Sequence, residues 1–113
     1  MLMRARDNVA DASELQKHLT GDTLTVATTM LGLLADPTRL RLLAALVPTD
    51  QDVSALTTTT GAARPAVSQH LAKLRLAGLV RVRREGRRQV YALAGPHIAT
   101  LITEVLHAAA RHR

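Results

Sequence analysis

Between positions 12 and 34 the apolar residues Leu15, Leu19, Val26, Met30, Leu33 and Leu34 recur mostly at spacings of three, four and seven, the period of one helix face. Gly21-Asp22 interrupts the pattern, so two helices are predicted, with Asp22 capping the second. Asp36-Pro37 is a further start signal: a carboxylate at the N-cap can accept a backbone N–H, and proline suits the first helical position. The helix it opens is predicted to run to about position 47 and to bury Leu40, Leu43 and Leu46 or their close neighbours. Arg39 and Arg41 fall on its other faces, and Pro48 ends it. Asp52 caps a third helix over 53–58, which the run Thr57 to Thr60 is expected to keep short. Gly61 suits a left-handed turn. A fourth helix, from position 64 or 65 to 77, carries Val67, Leu71 and Leu74 as its buried stripe and Gly78 as its stop.

After Gly78 the period changes. Residues 79–84 and 88–93 alternate loosely in the strand period, with Glu85-Gly86-Arg87 as the turn between them. Pro96 opens a last helix through 111, with Ile98, Leu101, Ile102, Val105 and Leu106 on a broad apolar face. The expected fold is mainly α with a two-stranded β-wing. A short capped helix, a glycine turn, a proline-initiated helix and a hairpin, in that order, make a winged helix-turn-helix. One domain is expected: an arm over 1–10, outer helices over 11–34 and 96–111, the helix-turn-helix over 52–77, and the wing over 79–93.

Composition narrows the partner. The 113 residues include one Tyr and no Phe or Trp, so the core must be built from Leu, Val, Ala and Ile. Stacking on single-stranded nucleic acid, which needs aromatic platforms, is thereby disfavoured. Lys and Arg number 15 against 9 for Asp and Glu, a net charge of +6 that favours a polyanionic partner. Arg81, Arg83, Arg84, Arg87 and Arg88 concentrate that charge on the hairpin. The chain has no cysteine, which removes disulfides and thiolate chemistry. It has neither an apolar run of bilayer length nor a secretory h-region, so a cytoplasmic protein without a membrane partner is expected. An enzyme is not expected: Ser68 and His70 lie too close on one helix to form a nucleophile–base pair, and no phosphate loop or metallohydrolase motif is present.

A helix presenting small polar side chains, followed at once by an arginine-studded hairpin, suits double-stranded DNA. The fourth helix can enter the major groove while the hairpin holds the backbone nearby. Arg64, Ala66, Ser68, Gln69 and Lys73 are the groove-facing candidates. Ser68 and Gln69 can reach base edges, Gln69 in bidentate fashion to adenine. Arg64 can reach guanine or phosphate, and Lys73 phosphate. Arg83, Arg84, Arg87 and Arg88 supply backbone or minor-groove contacts from the wing. His70, beside the core residue Leu71, is read as packed locally rather than turned to DNA. The competing reading from a different class is a non-specific DNA-compacting protein.

Three stretches resemble the ArsR/SmtB family of bacterial winged-helix regulators: LADPTRLRLLAAL from Leu34 to Leu46, PAVSQHLAKLRLAGLV from Pro65 to Val80, and REGRRQVYAL from Arg84 to Leu93. The resemblance implies a homodimer built from the first and last helices. The dimer would set two recognition helices about one DNA turn apart, ~34 Å, over an imperfect inverted repeat. It also implies repression relieved by an inducer, commonly a metal ion, although activators and metal-free members belong to the family too.

The family's thiolate site would place a cysteine pair near 53–57, where this chain has Val53-Ser54-Ala55-Leu56-Thr57, so that site is absent. The family's other site runs Asp-x-His, then a His eleven residues on, then His or Glu three further. Here it reads Gly95-Pro96-His97, Ala108 and Arg111, which keeps only His97. A shifted set of His97, Glu104 and His107 shares one helix face, and its nitrogen and oxygen donors suit Ni²⁺ or Zn²⁺. Antiparallel pairing of two copies would bring His97 of one toward His107 of the other. His112, and His18 with Asp22, are further candidates. Two modes of control stay open: a nickel- or zinc-responsive repressor, or a winged-helix regulator controlled by an accessory regulatory protein or a non-metal ligand.

Overall fold

The computed structural model describes residues 12–112. The expected arm over 1–10 lies outside the described residues. The element order is α1 (Ala12–Lys17), α2 (Gly21–Leu34), α3 (Pro37–Leu46), β1 (Gln51–Asp52), α4 (Val53–Thr60), α5 (Arg64–Leu76), β2 (Val80–Glu85), β3 (Arg88–Leu93) and α6 (Pro96–Arg111). Helices dominate, and β2 and β3 form the antiparallel wing.

The first break falls one step earlier than expected. α1 ends at Lys17, Thr20 rather than Asp22 occupies the N-cap of α2, and Asp22 lies in the first turn. A carboxylate there still favours the positive end of the helix dipole. Asp36 caps α3 as its sequence signal predicts, accepting the Arg39 N–H at 2.9 Å. Leu42, Leu43 and Leu46 are the buried residues of α3, while Leu40 is half-buried against them. Arg39 departs from the expectation of an outward-facing arginine. It is partly buried, its Nε donating to the Leu33 carbonyl at 2.8 Å, which ties α3 to the end of α2.

Asp52 caps α4 by accepting the Ala55 N–H at 2.8 Å. The threonine run does not stop this helix, which continues to Thr60. The hydroxyls of Thr57 and Thr60 bond back to the carbonyls of Ser54 and Leu56 at 2.6 and 2.7 Å, so their polar groups are satisfied within the helix. Gly61 then ends it with φ +74°. α5 ends in a paired C-terminal motif: the Gly78 N–H donates to Arg75 O at 3.0 Å and the Leu79 N–H to Leu74 O at 2.9 Å.

The hairpin turns over Gly86 and Arg87 between the paired residues Glu85 and Arg88. Only the first of the two central residues has positive φ, +62° at Gly86, as a type II′ turn requires. A third strand was not anticipated. Gln51 and Asp52 pair antiparallel with Tyr91 and Val90, so the sheet order is β1-β3-β2. Two residues make too short a run for strand periodicity to show. Gln51 reinforces this junction by donating to the Ala45 carbonyl at 2.7 Å and accepting from the Thr59 hydroxyl at 3.2 Å.

One core joins these elements. Leu42, Leu43, Leu56, Val67, Leu71, Leu74, Leu79 and Ile102 are fully buried and pack with Val80 and Tyr91 from the sheet. By contrast α2 buries only Leu34 at its end, and α6 only Ile102.

Candidate nucleic-acid interface

The face of α5 opposite the core is polar by construction. Val67, Leu71 and Leu74 are driven inward at helical spacing, so Ser68, Gln69 and Lys73 are exposed on the same helix. Arg64 is exposed at its first turn, and Ala66 is half-buried. Arg64 donates to the Ser54 hydroxyl at 3.0 Å, which bridges the start of α5 to the start of α4. His70 is partly buried: its Nδ1 lies 3.4 Å from Arg39 and its Nε2 is 4.0 Å from Asp36. It therefore packs against the α3 cap, as expected of a residue beside the core stripe.

The starts of α4 and α5 and the wing surround an open cleft of about 430 Å³, with Ser54, Arg64, Arg84, Arg87, Arg88 and Gln89 on its walls. Four arginines line it, together with Asp52, which holds Arg88. Of the candidates read from the sequence, Arg64 at the start of α5 and Arg84, Arg87 and Arg88 of the wing are thus brought together, whereas Ala66, Ser68, Gln69, Lys73 and Arg83 do not line this cleft. Ser54 and Gln89 were not singled out from the sequence. Both are ordinary polar residues there, and only the meeting of α4 with the wing makes them neighbours of the arginines.

The wing arginines are not equivalent. Arg83 donates to both Asp50 and Glu85, the latter at 2.6 Å. These two carboxylates hold its guanidinium firmly charged. Arg88 donates to Asp52 at 2.9 Å. The Asp52 carboxyl is held below the usual aspartate range, first by the Ala55 N–H it accepts and then by Arg88. Arg84 donates to the Gly86 carbonyl at 3.2 Å. No carboxylate lies within ion-pair distance of Arg84 or Arg87 among the described residues.

His97, Glu104 and His107 are exposed along α6. At ~1.5 Å of rise per residue, His97 stands about 10 Å from Glu104 along the axis, too far to share an ion within one copy. Glu104 and His107, three residues apart, are neighbours. Among the described residues, one chain alone brings no three His, Cys, Asp or Glu side chains together around a metal position. No helix of the described residues is long and apolar enough to cross a membrane.

Residues 36–82, from the cap of α3 to the middle of β2, match the profile of the bacterial regulatory protein, arsR family. The HTH-type transcriptional regulator KmtR of Mycobacterium tuberculosis is 38% identical over 88 residues, covering 78% of this chain and 68% of KmtR. The transcriptional repressor SmtB homolog of Synechocystis is 43% identical over 72 residues, covering 64% of this chain and 54% of that protein. Among solved structures, the homodimeric winged helix-turn-helix DNA-binding domain of a possible ArsR-family regulator from Mycobacterium bovis superposes with a TM-score of 0.75. It is 34% identical, covering 82% of this chain and 90% of that domain.

Proposed function

Because the chain belongs to the ArsR family of bacterial regulatory proteins, we propose that it is a homodimeric repressor that reads an inverted-repeat operator in duplex DNA. The observation that carries this reading is the division of α5. Its apolar stripe is locked in the core, its Ser68, Gln69 and Lys73 are exposed, and Arg64 at its start lines a cleft shared with the wing arginines. Gln69 and Ser68 read base edges in the major groove. Arg64, Lys73, Arg84 and Arg87 neutralise phosphates, which fixes register without reading sequence. Arg83 and Arg88 lie on the same wing but begin from carboxylate partners. The outer helices α2 and α6 supply the dimer interface, since each leaves large apolar side chains uncovered. The test is to pass a random duplex pool over the full chain and sequence what is retained. Inverted repeats with half-sites one helical turn apart are the expected result, and retention without sequence preference would instead favour a DNA-compacting protein.

Control by nickel or zinc is the finer part of the proposal. The donor set on α6 is imidazole and carboxylate, which suits those ions. The spacing from His97 to Glu104 supports an ion held between two copies rather than within one. Bound there, a cation would supply a cross-link between two α6 helices, while His97, Glu104 and His107 hold it. Calorimetric titration with Ni²⁺ and Zn²⁺ is expected to show micromolar or tighter binding that His97→Ala and His107→Ala each abolish. Absence of such binding would transfer control to an accessory regulatory protein or a non-metal ligand.

A further inference from the structure

The arginines of the wing differ in whether a carboxylate holds them. Among the described residues Arg84 and Arg87 have no carboxylate within ion-pair distance, whereas Arg83 is taken by two. Those two come from different places. Glu85 is two residues along the same strand, on the same face of the sheet. Asp50 reaches Arg83 from the connector before β1, 33 residues away in sequence. One guanidinium is thus shared between two carboxylates. A phosphate approaching Arg83 therefore competes with two carboxylates already accepting from it, a competition that no ion pair imposes at Arg87 among the described residues.

We propose that Asp50, with Glu85, acts as an intramolecular competitor for Arg83 and so lowers the sequence-independent hold of the wing on the DNA backbone. The inference rests on the DNA-binding reading above. It assigns a role to two acidic residues on a surface otherwise read through its arginines. The side chains of Arg83 and Asp50 are half-exposed, so the pair adds little to stability. Its consequence is for binding, where each phosphate neutralised changes the salt dependence measurably. Base reading by α5 is untouched, because neither carboxylate lies on that helix.

The measurement is fluorescence anisotropy of the full chain on a labelled random-sequence duplex across a salt series. The variants are Asp50→Asn, Glu85→Gln, Arg83→Ala and the double variant Asp50→Asn/Arg83→Ala. Asp50→Asn is expected to bind several-fold tighter than the parent, with a log–log salt slope steeper by about 0.9, the value of one added phosphate contact. Glu85→Gln is expected to shift in the same direction. The gain should vanish in the Arg83→Ala background, because Asp50 acts through that guanidinium. An Asp50→Asn protein that binds no tighter overturns the inference, as does a gain that persists undiminished without Arg83. A parent protein that binds no duplex at all would instead overturn the DNA-binding reading on which the inference stands.

Discussion

Asp36 and Asp52 do the same local work at the starts of α3 and α4, and that work is titratable. Each accepts a backbone N–H three residues on, Arg39 for Asp36 and Ala55 for Asp52. That bond is the largest cause holding each carboxyl below the ordinary aspartate value of 3.8. The unfolded chain then binds more protons than the folded one through this range, so stability rises with pH. The contribution is fully present above the unfolded value and is lost as pH falls through the lower folded values. Urea midpoints are therefore expected to fall away below about pH 4. Asp36→Asn and Asp52→Asn should flatten that acid limb while keeping most of the capping, since Asn caps nearly as well. An unchanged acid limb in the double variant would show that other carboxylates control it. Under the proposed DNA-binding reading the roles of single residues separate in the same way. Gln69→Ala is expected to change which duplexes are preferred, whereas Arg87→Ala should weaken all of them alike, as read by competition on a mixed pool. Equal loss of preference from both changes would argue against separate reading and holding groups.

At the scale of elements, what was legible in the sequence is what is decided within a few residues. The Asp36-Pro37 start, the Asp52 cap, the Gly61 turn and the Val67–Leu71–Leu74 stripe each carry their cause in neighbouring positions, and each appears as read. The threonine run misled because propensity counts only intrinsic cost. Within α4 the hydroxyls bond to carbonyls of the preceding turn, and Leu56 anchors the helix in the core. β1 and the Asp50–Arg83 pair were not legible, because they depend on strand pairing with residues far along the chain. The same distinction gives two expected stability changes. Gly61→Ala forces a Cβ into φ +74° with no atom within 4 Å of it, so the cost is backbone strain alone, about 1 kcal/mol. Leu71→Ala removes a fully buried side chain between α5 and the rest of the core and should cost about 3 kcal/mol. Chemical denaturation separates the two. A Gly61→Ala loss as large as that of Leu71→Ala would mean the turn carries tertiary contacts beyond its conformation.

For the whole molecule, shape argues for a second copy. The Cα radius of gyration is 16.0 Å, with extents of 49 × 34 × 24 Å. A compact chain of about 100 residues has a radius near 13 Å. α1 buries no residue and α2 only Leu34, so both stand largely off the core. On α2, Leu24 is 40% exposed and Leu31 is 56% exposed, seven residues apart on one face. Val105 and Leu106 of α6 are likewise uncovered. Large apolar side chains left exposed on two helices are what the proposed dimer would cover. Association would bury them, and it would also fix the separation between two α5 helices, on which recognition of an inverted repeat depends. Leu24→Glu with Leu31→Glu should therefore yield a monomer by analytical ultracentrifugation. Its far-UV circular dichroism should be unchanged, because neither residue belongs to the buried core. Each monomer keeps its own cleft and recognition helix, so weak binding to a single half-site should survive while preference for the full repeat disappears. A double variant that remains dimeric would place the interface elsewhere. One that is monomeric yet still prefers the repeat would uncouple dimerisation from operator reading.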